Sequence, residues 1–168
     1  CKAAEVGGIP QIPTPPSLPD IIKNYVDTGK VKIVFMDFAF LGNDSVTAAL
    51  YNRSVWKLYP SQYFAWRTAM YIAQDEEGDR GFGNAVSIDK LNATISGIDA
   101  AKVAADVKAN TATYQAMVDR DKAEAQKAGV NATPSFIIGT TLIQGAYPYA
   151  NFQSAIESVQ KVGATVLK

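Results

Sequence analysis

The sequence predicts an α/β fold in which a helical block, residues 43–128, interrupts a layer of helix and strand built from residues 1–42 and 129–168. Three observations predict it. Val31–Phe38 is β-branched and nearly continuous in apolar residues, as a strand covered on both faces reads, and a helical pattern precedes it. Helical spacing then persists from Val46 to Val118. After Gly129 the pattern switches to two short apolar runs, Ser135–Gly139 and Thr141–Gly145, which read as a hairpin around Gly139-Thr140. Helix, buried strand, helices and hairpin together make a layered architecture.

Each element has a local reason. Cys1–Val6 is compatible with a short helix that Gly7-Gly8 ends. Ile9–Pro19 holds five of the eight prolines, whose missing amide donors and fixed φ exclude a helix or central strand. It reads as an extended surface loop, with a flexible linker and a proline-rich docking motif as competing readings. From Asp20 onward Ile21, Ile22, Tyr25 and Val26 take helical spacing, closed by Thr28-Gly29. Asn43-Asp44-Ser45 supplies N-cap chemistry for a helix reaching Leu58, and Pro60 opens the next, where Tyr63, Trp66, Met70 and Ala73 share a face. Asp75–Asp79 lacks the spacing of a calcium loop and reads as a solvated acidic stretch. Ser87 is the expected cap of a short helix with Ile88, Leu91 and Ile95. Asp99 is the expected cap of a long one with Val103, Val107, Tyr114 and Val118 on one side. The tryptophans and tyrosines of this block read as core. After Pro148 a last helix turns Phe152, Ile156 and Val159 inward.

Composition narrows the chemistry. Sixteen basic residues balance sixteen acidic ones, which gives no electrostatic reason to expect nucleic acid as a partner. No apolar run has the length of a membrane span. No signal peptide stands in the chain, which an exported protein after cleavage would equally lack. The absence of histidine removes histidine-based triads and metal sites. A single cysteine, Cys1, excludes an internal disulfide and a cysteine-rich zinc site. Carboxylate, lysine, hydroxyl or single-thiol chemistry remains, and the thiol draws the attention.

Two stretches carry a resemblance. Gly129-Val130-Asn131-Ala132-Thr133-Pro134-Ser135-Phe136, continuing to Gly145-Ala146-Tyr147-Pro148, resembles the C-terminal half of a DsbA-like thiol–disulfide oxidoreductase. Tyr25–Lys32, running through Phe35-Met36-Asp37-Phe38 to Gly42-Asn43-Asp44-Ser45, resembles the segment leading from the first helix of that family into its second strand. The resemblance covers nearly the whole chain. It implies a thioredoxin-like domain from residues 1–42 and 129–168 and an inserted helical domain from 43–128, with the first strand of that fold expected ahead of Cys1. It also implies a cis peptide bond at Thr133-Pro134, beside the redox site. There the Thr133 backbone would pair with an extended substrate peptide as an added strand.

Members of that family carry a Cys-x-x-Cys pair at the start of a helix, where amides and helix dipole stabilise the first thiolate. Cys1-Lys2-Ala3-Ala4-Glu5 resembles the residues beginning at the second, resolving cysteine. The implied activity is disulfide formation or isomerisation in exported proteins, without cofactor or metal. Its partners would be extended or unfolded protein substrates and a membrane or soluble redox protein. The location would be extracytoplasmic, in periplasm or cell envelope, with membrane anchoring open. Competing readings are a redox-inactive thioredoxin-fold module that binds peptides, a lipoprotein modified at Cys1 with the proline stretch as tether, and the glutathione-using branch of the fold. Four glycosylation sequons, at Asn43, Asn52, Asn92 and Asn131, read as incidental.

Overall fold

The computed structural model describes residues 1–75 and 82–163. In chain order its elements are α1 (Lys2–Glu5), α2 (Leu18–Ile21) running into a π-helical turn (Ile22–Val26), α3 (Asn43–Leu58), α4 (Tyr63–Ala73), α5 (Ala85–Asn92), α6 (Ala100–Lys127), β1 (Ser135–Ile138), β2 (Thr141–Gln144) and α7 (Tyr149–Val162). They divide into two units, one from Cys1–Phe35 with Gln126–Lys168, the other from Met36–Ala125.

The first unit holds the hairpin. β1 and β2 pair antiparallel from Ser135 opposite Gln144 to Ile138 opposite Thr141, joined by Gly139-Thr140 as the sequence predicts. Gly139 takes a φ of +60°, and a Cβ there would stand 2.6 Å from Val159 Cγ2, so glycine lets α7 close onto the turn. Ile21, Tyr25, Phe152 and Ile156 form the core, with Ile33, Phe136, Ile138 and Ile143 packed against it. The Phe136 and Phe152 rings meet edge to face at 4.7 Å. α2 begins two residues before the expected start at Asp20, because Pro19 is tolerated in a first turn that needs no amide. The proline stretch is a loop, as expected, and it folds on itself: Ile12 N donates to Ile9 O at 2.9 Å, and Gly7 sits against Pro16.

The expected strand at Val31–Phe38 is not formed. The segment is extended, with Val31, Ile33 and Phe35 half-buried while Lys32, Val34 and Met36 are exposed. Among the described residues no strand pairs with it, and Val34 is 71% exposed, so one face is covered where the sequence predicted two. An apolar run reports what a segment can bury. The ladder needs a neighbour, and the described sheet has only β1 and β2.

The second unit is helical. Tyr51, Val55, Tyr63, Trp66, Met70, Ile88, Val103, Val107 and Tyr114 form its core, fed by α3 to α6. Helix starts differ from expectation by up to three residues. Gly42, at φ +93°, precedes α3, and Asn43-Asp44-Ser45 makes no side-chain cap there. α4 starts at Tyr63, three residues past Pro60, which lies in the preceding turn. Asn84, not Ser87, caps α5. Its Oδ1 accepts from Ser87 N at 3.0 Å while Ser87 Oγ accepts from Gly83 N at 2.9 Å, a reciprocal cap. Asp99 Oδ1 accepts from Lys102 N at 3.1 Å, as expected of a cap on α6. Of the acidic stretch Asp75–Asp79, all but Asp75 lies outside the described residues.

Candidate functional site

Cys1 stands at the N-cap of α1, and its carbonyl accepts from Ala4 N and Glu5 N at 2.9 and 3.2 Å. The turn buries Ala3 and Ala4 almost completely, which fixes it in the first unit and leaves Cys1 exposed to solvent. Residues 6–16 follow directly and enclose a shallow, open groove of 430 Å³ whose lining carries no charged side chain.

Thr133 and Pro134 lie in the same unit, in the loop entering β1. Their peptide bond is cis. Four contacts hold the loop. Val130 is buried, Asn131 N donates to Gln144 Oε1 at 3.2 Å, Ser135 Oγ donates to Ala132 O at 2.7 Å, and Gly145 N donates to Pro134 O at 2.7 Å. The last continues the hairpin ladder by one rung. Among the described residues the Thr133 N–H and C=O have no hydrogen-bond partner, so the half-buried Thr133 keeps an unused donor and acceptor beside a strand end.

The second unit holds a polar cluster that sequence reading missed. The Arg53 guanidinium pairs with Asp37 Oδ2 at 2.7 Å and with Asp121 Oδ2, which also accepts from Asp37 N at 3.1 Å. Asn52 Nδ2 donates to Asp37 Oδ1 at 3.0 Å, and Tyr63 OH donates to Asn52 Oδ1 at 2.7 Å. Burial pushes the Asp37 carboxyl above the usual carboxylate range, and Arg53 and Asn52 only partly offset it. A second cluster gathers on Asp106, which accepts from Lys57, Ser54 and Tyr114. Two signals pointed to the first cluster. Asp37 interrupts an apolar run, and Asp121 falls three residues after Val118 on the buried face of α6. Among the described residues no group of acidic, cysteine or histidine side chains has the arrangement of a metal site.

A family model described as Thioredoxin matches residues 15–158. Disulfide bond formation protein D of Bacillus subtilis is 25% identical over 150 residues, 85% of this chain and 63% of that protein. A probable disulfide bond formation protein D of Bacillus anthracis is 23% identical over 74% of this chain and 57% of its own length. The chain thus spans about three fifths of these relatives. The crystal structure of oxidised BdbD from Bacillus subtilis superposes with a TM-score of 0.76 at 23% identity, over 96% of this chain and 80% of that one. The thiol-disulfide exchange protein α-DsbA2 of Wolbachia pipientis gives 0.69 at 27% identity, over 84% of this chain and 73% of that one. The chain belongs to the thioredoxin family, in the DsbA-like branch that carries a helical insertion.

Proposed function

We propose that the chain acts as a thiol–disulfide oxidoreductase on exported proteins, with Cys1 as the second, resolving cysteine of a Cys-x-x-Cys and Thr133-Pro134 as the substrate-binding loop. One observation carries the reading. An exposed thiol opens a buried helical turn in the unit that also holds a strand end with unused backbone groups at Thr133. Family membership and the names of the relatives support it.

The chemistry balances as two thiol exchanges. A substrate thiolate attacks the sulfur of the first cysteine in the oxidised pair, and Cys1 leaves as thiolate. The second substrate thiolate then attacks that mixed disulfide, closing the substrate disulfide and leaving the pair reduced. A redox partner takes the two electrons. In isomerisation the reduced first cysteine attacks a substrate disulfide, and a different substrate thiolate then displaces it to form a new substrate disulfide. Cys1 attacks the mixed disulfide only to release a substrate that does not rearrange. An extended substrate would add to the strand end through Thr133 N and O, so backbone bonds hold any sequence that is unfolded. The reading places the protein outside the cytoplasm. Among the described residues no helix is long and apolar enough to cross a membrane.

The test is Cys1→Ala in the natural full-length protein, reduced, mixed with a peptide whose cysteine is held in a mixed disulfide with a small thiol, and followed by intact mass. Turnover should collapse while a covalent enzyme–peptide adduct accumulates. Parent-like turnover without an adduct overturns the role of Cys1. A parent that binds the peptide but exchanges no thiols is the redox-inactive binding module instead.

A further inference from the structure

The loop that leads from α6 into β1 carries Thr133, and it is tied at two points to the end of β2. Gly145 N donates to Pro134 O at 2.7 Å, and Asn131 N donates to Gln144 Oε1 at 3.2 Å. The ties fall on consecutive residues, so they close the arc Asn131–Pro134 at both ends with Thr133 inside it. They differ in kind. The Gly145 tie joins backbone to backbone and extends the ladder in which Ser135 stands opposite Gln144. The Asn131 tie depends on a side chain, which reaches from β2 to an amide thirteen positions away. Because a backbone amide only donates, the Gln144 side chain must present its oxygen there. Ser135 Oγ, which donates to Ala132 O three positions back, braces the loop only against its own strand. Burial of Val130 fixes where the arc starts, and the Gln144 bond fixes how the next peptide plane is turned.

We propose that Gln144 is a positioning residue for substrate: by holding the Asn131 amide it sets the orientation in which Thr133 offers its N–H and C=O to an extended peptide. This role rests on the reading of Thr133-Pro134 as the substrate-binding loop. Hydrogen bonds weaken steeply when misaligned, so a donor and acceptor carried on a mobile arc pair poorly. An arc ordered before binding also loses less conformational entropy when the peptide arrives. Gln144 therefore acts on peptide affinity and takes no part in the thiol exchange.

The test compares Gln144→Leu, which keeps the bulk and loses the acceptor, with Gln144→Glu, which keeps an acceptor, both in the natural full-length protein. Gln144→Asn, a methylene shorter, replaces the leucine variant if that one does not fold. The probe is an extended peptide with both cysteines changed to serine, titrated while hydrogen exchange is read at Asn131 and Thr133. Its reduced two-cysteine parent is then used in single turnovers of the oxidised protein. Gln144→Leu should speed Asn131 exchange and weaken peptide binding by about fivefold each, the scale of one hydrogen bond. The half-saturating peptide concentration should rise by a similar factor at an unchanged maximal rate. Gln144→Glu should bring both affinity and exchange back to within about twofold of the parent. A folded Gln144→Leu that binds peptide as tightly as the parent overturns the proposal, and so does an equal loss in Gln144→Glu. A peptide that leaves the parent's Thr133 amide unprotected overturns the substrate-binding reading itself, and this role falls with it.

Discussion

The two units bury their cores differently. In the helical unit Val55, Ile88 and Val103 are completely buried and Val118 nearly so, each supplied by a different turn or helix. In the other unit no strand residue of β1 or β2 is fully buried, and among the described residues the one large side chain sealed from solvent, Phe152, comes from α7. Helices satisfy their own backbone and need only a partner face, so four of them close a core. A two-stranded hairpin and an extended segment leave backbone edges and half-covered faces, and their core depends on a few keystone side chains.

That difference can be broken or sharpened by experiment. Phe152→Ala should have the largest effect, destabilising the protein by about 3–5 kcal/mol in denaturant unfolding, since it empties the centre of the hairpin unit. Amide protection in α6 should survive up to that transition. If α6 loses protection in step with α7, the units unfold as one.

A pH effect comes next. Burial raises the Asp106 carboxyl, but hydrogen bonds from Lys57, Tyr114 and Ser54 outweigh it and hold the group below its ordinary value. Its stabilising contribution is therefore complete above the unfolded-state value of about 4 and is lost as pH falls through the lower folded value. Asp106→Asn should lower the melting temperature at neutral pH and flatten its decline below about pH 4, with no change in α7 exchange. Asp37 works in the opposite sense, because its raised carboxyl costs stability as pH rises through its folded value. The difference between variant and parent is thus the quantity to compare. The smallest effect belongs to Asn84→Ala, about 1 kcal/mol for the loss of the Ser87 amide bond at the α5 cap. A loss above 3 kcal/mol would make the helical unit as dependent on single residues as its neighbour.

What was legible in the sequence was local. The hairpin, with its Gly139-Thr140 turn, and α6, with Val103, Val107, Tyr114 and Val118 on one face, follow from spacing alone. Val31–Phe38 was misread because a strand is a relation between segments, and only one of the segments is visible in a run of residues. Helix starts slipped at Gly42, Gln62 and Asn84 because several adjacent residues offered plausible caps and tertiary packing chose among them. Cys1 was singled out as the single thiol, and its proposed role and those of Thr133 and Pro134 came through resemblance, since no spacing rule links residues at opposite ends of a chain. Asp37 and Asp121 meet across 84 positions, so their pairing was not readable from either side.

That pairing also bears on the order in which the chain assembles. The hairpin unit is discontinuous, and its core must bring Ile21 and Tyr25 against Phe136 and Phe152 from beyond the entire stretch Met36–Ala125. Held open, so long a connector would impose the entropy of closing a large loop, which grows with the logarithm of its length. Once the helical stretch has folded, the Asp37 amide on Asp121 ties its two ends together. A chain that folds the insertion first thus converts a distant encounter into a nearly local one. Emerging in sequence from the ribosome, Met36–Ala125 is complete before α7 exists, so synthesis favours that order.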